Sequence, residues 1–138
     1  MRRPQRIRRL LSDSNGATAV EFAIVSSVFF TFVIGIAYVG IMLFNNASLN
    51  YAVEDAARVV ALNNTTTLDQ ITTKINSYMA SAGLPAASVQ YSTAMMSNVP
   101  TGHIIAHYTR SYTLPFVHTF NVTYRADIYV PLQSVIQS

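Results

Sequence analysis

The chain has no cysteine and no tryptophan, and only 11% of its 138 residues are charged. Without cysteine it can form neither disulfides nor thiolate metal sites, and it has no thiol nucleophile. Charge is missing most completely from residues 22–44, which form a run of 23 uncharged and mostly apolar residues. A helix of that length covers about 35 Å, which is enough to cross the ~30 Å hydrocarbon core of a bilayer. The sequence therefore predicts one membrane span.

Positive charge is concentrated before this span. Residues 1–16 contain five arginines against one acid, whereas residues 17–138 contain four basic and five acidic residues. A basic segment beside a span more often fixes membrane topology than binds nucleic acid, so we expect no nucleic-acid partner. The positive-inside rule places residues 1–16 in the cytoplasm as a leader and sends the remainder outward. The apolar run is also longer than the h-region of a secretory signal peptide, which predicts a span that stays in the membrane.

The helical pattern continues beyond the span. Small and apolar residues recur at three- and four-residue steps after Asn45: Leu49, Ala52, Val53, Ala56, Val60 and Ala61. No proline or glycine interrupts residues 41–62. We predict one helix over residues 17–62, about 70 Å long, followed by an outer domain over residues 63–138.

The outer domain has the pattern of an α+β fold. Thr67 and Gln70 have the spacing of a capping box, and Gly83 with Pro85 provides a stop, so a short second helix is expected between them. Three later segments are rich in β-branched and aromatic residues and are separated by turn residues: Val89–Met95, Ile104–Leu114 and Thr119–Val130. The last one alternates apolar and polar residues, as an antiparallel strand with one solvated face does. We predict a small antiparallel sheet of about three strands.

No cluster of polar residues has a catalytic spacing, so the sequence indicates a protein that is not an enzyme and has no cofactor. His103 and His107 would be about 13 Å apart on a strand, too far to share one metal ion without a bend. We expect these residues and His118 to be surface or cross-strand histidines, and we predict no metal site. Gly35 and Gly40 are either helix-packing positions or ordinary glycines of a span.

Glu21 is the anomaly, because it stands directly before the uncharged run. A carboxylate near hydrocarbon normally has a partner. If the chain were cut after Gly16, the new α-ammonium group of Ala17 would lie about one helical turn away and would supply that partner. The alternative is that Glu21 reaches headgroup water at the cytoplasmic surface. The residues alone leave both interpretations open.

The segment from residue 16 to residue 23, GATAVEFA, resembles the processing site of type IV pilins of the Flp/Tad branch. Glu21 followed by Phe22 is similar to the TadE-like pseudopilins, and so is the stretch Ala56-Ala57-Arg58. The resemblance implies that a prepilin peptidase cuts between Gly16 and Ala17 and that Glu21 aligns subunits during assembly. It also implies other pilin subunits and assembly platform proteins as partners.

In this family the protein is a minor pilus component that supports pilus biogenesis and adhesion. The resemblance implies a location first in the bacterial inner membrane and then in the pilus at the cell surface. The alternative is an uncleaved single-span anchor whose outer domain binds a ligand or a partner. The two hypotheses differ in whether the leader is removed.

Overall fold

The computed structural model describes residues 14–63, 65–113 and 118–132. It has two helices and three strands: α1 Ser14–Leu62, α2 Leu68–Ser81, β1 Ser88–Met96, β2 Val99–Thr113 and β3 Thr119–Pro131. The predicted α+β class is confirmed, with a long N-terminal helix, a second short helix and a three-stranded antiparallel sheet. The chain divides into two compact units, Met1–Ile41 and Met42–Ser138.

The described part of the first unit is a single stretch of α1. None of its residues from Gly16 to Ile41 is buried. Apolar side chains are exposed on all sides of this stretch, so it has no polar face of the kind that a helix on a water-soluble protein presents. α1 is long and apolar enough to cross a membrane. It begins at Ser14, three residues before the predicted start at Ala17.

The second unit has one core, formed by the end of α1, by α2 and by one face of the sheet. The predicted stripe on α1 supplies Leu49, Ala52, Val53, Ala56 and Val60, all fully buried. The other elements supply these buried residues: Ile71, Ile75, Met79, Ile104, Ala106, Tyr108, Tyr112, Tyr124, Ala126 and Val130. Burial of each large apolar side chain contributes about 1.5–3 kcal/mol, so this core holds the unit together.

The capping box predicted for α2 is present. The Thr67 hydroxyl accepts a hydrogen bond from the Gln70 backbone N–H at 3.4 Å, and the Gln70 side chain accepts one from the Thr67 N–H at 3.1 Å. Gly83 has a φ of +69°, which favours glycine after a helix end. Leu68, the first residue of α2, is 43% exposed, and the buried residues of the helix begin at Ile71.

The sheet has the order β1-β2-β3, with both pairs antiparallel. The alternation predicted for β3 is confirmed. Its buried or half-buried residues are Phe120, Val122, Tyr124, Ala126, Ile128 and Val130, and its intervening residues are exposed. The solvated face carries cross-strand pairs of polar side chains, such as Thr109 with Thr123, whose hydroxyl oxygens are 2.9 Å apart. The two faces of the sheet therefore have different partners, the helices on one side and water on the other.

β2 begins at Val99, five residues earlier than the predicted Ile104, so the sequence prediction was wrong here. Glycine often interrupts a strand, but Gly102 lies within β2 and lets the ring of Tyr91 on β1 pack closely against its backbone. A Cβ at this position would lie 2.9 Å from the ring of Tyr91 on β1. The end of the predicted strand at Leu114 lies outside the described residues.

A two-residue turn allows β2 to start this early. Met96 pairs with Val99, and Ser97 and Asn98 between them have φ angles of 51° and 65°. Positive φ at both central residues is characteristic of the type I′ hairpin turn. Serine is a poor residue for the left-handed region, whereas asparagine tolerates it.

Replacing Ser97 by Asn is therefore expected to raise the free energy of unfolding by about 0.5–1 kcal/mol. Chemical denaturation followed by the near-ultraviolet signal of the tyrosines measures this value. Ser92→Asn is the matched control, because Ser92 is exposed on β1 in extended backbone, where asparagine is disfavoured. A Ser97→Asn protein no more stable than the Ser92→Asn protein would contradict the turn assignment.

Candidate functional site

The predicted processing residues Gly16 and Ala17 lie in the first turns of α1, and both are exposed. A Cβ added to Gly16 would meet no atom within 4 Å. The first N–H groups of a helix have no intrahelical acceptor, and glycine costs about 1 kcal/mol relative to alanine in a helix. Local unwinding at the bond between Gly16 and Ala17 therefore costs little free energy.

Glu21 is exposed on α1, four residues after Ala17. Among the described residues, no cationic side chain lies within 4 Å of its carboxylate. α1 starts at Ser14, so the helix has no acidic residue in its first turn. A helix that started at Ala17 would carry Glu21 about one turn from its positive end, where a carboxylate is stabilised.

The surface that follows Glu21 is apolar. Phe22 is 73% exposed, and fourteen other large apolar side chains between Val20 and Phe44 are exposed as well. Ser27 and Thr31 donate their hydroxyl groups to backbone carbonyls four residues earlier, each at 2.8 Å. These two hydroxyls are therefore paired within the helix.

The predicted packing residues fall into two groups. Gly35 lines a shallow depression with Thr31, Phe32, Ile36 and Val39, and a Cβ added at Gly35 or at Gly40 would meet nothing. Ala56 and Ala57 are buried in the core of the second unit, whereas Arg58 is exposed. Gly35 and Gly40 thus present surface that another helix can cover, and the two alanines already pack within the chain.

A buried polar network ties α1 to the sheet, and sequence analysis missed it. The Asn45 side chain is 1% exposed and donates to the Tyr112 hydroxyl. That hydroxyl is also 2.7 Å from the hydroxyl of Tyr124. Tyr108 donates to the Asn45 backbone carbonyl at 3.4 Å, and Arg110 donates to the Asn45 side-chain oxygen at 3.5 Å. Asn45 is therefore the point where α1 is fixed on the sheet.

Burial shapes the electrostatics of this network. Burial of the Tyr108 hydroxyl raises its pKa to about 12, and burial also raises the pKa of Tyr124. Both phenols are therefore neutral at physiological pH and keep their protons for hydrogen bonding. The signal that could have found the network is the spacing of Tyr108 and Tyr112 on one face of a strand, together with the pair Asn45-Asn46 at the end of an apolar run.

The histidines lie away from this network. His103 stacks on Tyr129, its cross-strand partner, with the ring centroids 4.1 Å apart. Its Nε2 atom donates to the Asp127 carboxylate at 2.7 Å, and this hydrogen bond lowers the pKa of Asp127. His118 is exposed. In the described part of the chain, no three histidine or acidic side chains group into a metal site.

The chain combines an exposed apolar helix that is long enough to cross a membrane with a small α+β unit. The family model described as TadE-like protein matches residues 16–58. The resemblance seen in the sequence is confirmed for these 43 of the 138 residues, and it begins at Gly16. No curated protein and no solved structure matches the chain. The TadE-like match indicates a protein associated with the Tad pilus, in a family of structural pilus components.

Replacing Asn45 by Ala is expected to lower the free energy of unfolding by about 1–3 kcal/mol, because the buried Tyr112 hydroxyl and the half-buried Arg110 guanidinium each lose a hydrogen-bond partner. Asn46→Ala is the matched control, since Asn46 is the next residue of α1 and is exposed. Chemical denaturation of both proteins in one detergent measures the difference. Equal stability of the two variants would show that the network does not hold α1 on the sheet.

Proposed function

We propose that the chain is a minor pilin (pseudopilin) that is processed after Gly16 by a prepilin peptidase and assembled into, or at the tip of, a pilus of the Tad type. The observation that carries the proposal is the arrangement of residues 16–44. The TadE-like match begins at Gly16, the proposed cleavage position, a single carboxylate follows, and no residue from Gly16 to Phe44 is buried. The chain thus presents an exposed apolar helix with one acidic residue at its N-terminal end.

Cleavage changes whether this helix can leave the bilayer. Before cleavage, the five arginines of the leader resist transfer into hydrocarbon, so the protein stays anchored across the bilayer. After cleavage, the helix begins at Ala17 with an α-ammonium group that is largely protonated at pH 7. The helix can then leave the bilayer for a bundle of similar helices.

Glu21 provides the alignment in such a bundle. Its carboxylate neutralises the α-ammonium group of its own chain or of the adjacent subunit. In a water-excluded bundle a lone charge is costly, so only the axial offset that brings the two charges together is favourable. When the α-ammonium group belongs to the adjacent subunit, the pair selects one register between neighbouring helices.

This function is structural rather than enzymatic. Its partners are the prepilin peptidase, other pilin subunits, the assembly platform proteins and the lipid bilayer. The subunit starts in the bacterial inner membrane with its N-terminus in the cytoplasm, and it ends in the pilus at the cell surface. There it supports pilus biogenesis and adhesion. The family match over residues 16–58 and the span-length helix support this location.

Replacing Gly16 by Leu is expected to abolish processing, so that a full-length protein accumulates in the membrane of a host with the matching peptidase. Immunoblotting of membrane fractions separates the two lengths. Gly40→Leu is the control, because both glycines have open space around the Cβ position and neither change disturbs a packed core. A wild-type protein that also stays full-length would favour the uncleaved anchor.

Replacing Glu21 by Ala is expected to leave membrane insertion intact and to reduce incorporation into sheared pili by about tenfold or more. This estimate follows from the ~1.5–3 kcal/mol of a hydrogen bond to a charged group. Glu54→Ala is the control, since Glu54 is an exposed acid on the same helix. Unchanged incorporation of the Glu21→Ala protein would disprove the alignment role.

A further inference from the structure

The second unit begins to cover α1 at the residue where the apolar run ends. Leu43 and Phe44 are exposed, whereas Asn45 is buried against the sheet. If residues 22–44 occupy the hydrocarbon core, the side chains that contact Asn45 lie at the level of the lipid headgroups. The argument needs only that α1 spans a bilayer, which the proposed function includes, and it does not depend on cleavage or pilus assembly.

Arg110 is a charged side chain that contacts Asn45. Its Nη1 atom donates to the Asn45 side-chain oxygen at 3.5 Å, the long limit of a hydrogen bond, and its guanidinium carbon lies 5.9 Å from the centre of the Tyr112 ring. The side chain is half-buried. The ion pairs among the described residues are Lys74 with Asp55, His103 with Asp127 and Arg125 with Asp127. Arg110 therefore has no carboxylate partner in the described part of the chain.

A guanidinium group in this position needs an oxygen acceptor. It is always charged and has five N–H donors in a planar fork, of which one reaches Asn45. The fork matches the paired oxygens of a phosphate group. At the edge of the hydrocarbon core, lipid headgroups supply phosphates at high local concentration.

We propose that Arg110 binds the phosphate of a phospholipid headgroup in the leaflet that faces the outer unit. The contact holds the end of β2 on the membrane surface beside the exit of α1. It also gives the outer unit a preference for anionic lipid, because a basic residue near an anionic surface gains about 1 kcal/mol.

The test uses the full-length chain in nanodiscs of phosphatidylcholine, with and without phosphatidylglycerol. In the wild-type protein, amide hydrogen exchange of β2 and β3 is expected to slow about fivefold when phosphatidylglycerol is present, as ~1 kcal/mol implies. Arg110→Gln is expected to lose this slowing, and Arg110→Lys to keep part of it as a point charge. Arg125→Gln is the matched control, because Arg125 lies on the solvated face of the sheet and is expected to keep the full slowing.

Two results would overturn the proposal. One is the same slowing in the Arg110→Gln protein, and the other is a slowing produced in phosphatidylcholine discs by soluble glycerol phosphate, which would assign the site to free phosphate. Co-migration of protein and nanodisc on size exclusion tests the span separately. Co-migration without an effect of phosphatidylglycerol would disprove the proposed preference for anionic lipid, whereas failure to co-migrate would disprove the span and this proposal with it.

Discussion

The structure depends on one constraint. α1 has an apolar surface that the described part of the chain does not cover. Fifteen large apolar side chains between Val20 and Phe44 are exposed on α1. Burial of each is worth about 1.5–3 kcal/mol, so together they exceed the ~5–15 kcal/mol that holds a typical domain folded. This surface needs lipid or other subunits around it, and the proposed function uses the two environments in succession.

The second unit includes the C-terminal part of α1. The stripe on α1 from Leu49 to Val60 is part of the core of this unit, so this part of the helix is a packed element of the unit. Asn45 lies at the end of this core. Its side chain donates a hydrogen bond to the Tyr112 hydroxyl, which is in turn hydrogen-bonded to the Tyr124 hydroxyl. A buried polar network specifies one arrangement when all its members are bonded. It thus fixes which turn of α1 meets the sheet.

Much of the fold could be predicted because its signals are local. The stripe on α1, the capping box at Thr67 and the alternation along β3 each depend on spacing within a few residues. The start of β2 was missed because it depends on contacts across the hairpin, namely the turn at Ser97 and Asn98 and the packing of Gly102 against β1. The Asn45 network was missed for the same reason, since its hydrogen bonds to Asn45 join residues that are 63 to 67 positions apart. The processing and alignment roles rest on the sequence around Glu21 and on the family match.

The central claim is that the acid at position 21 has as its partner an amine that is made by proteolysis. The most direct measurement is the mass of the N-terminal peptide of the subunit recovered from assembled pili. The account predicts a peptide that begins at Ala17 with a free α-amino group. A peptide that still carries the arginines of residues 1–16 would contradict it.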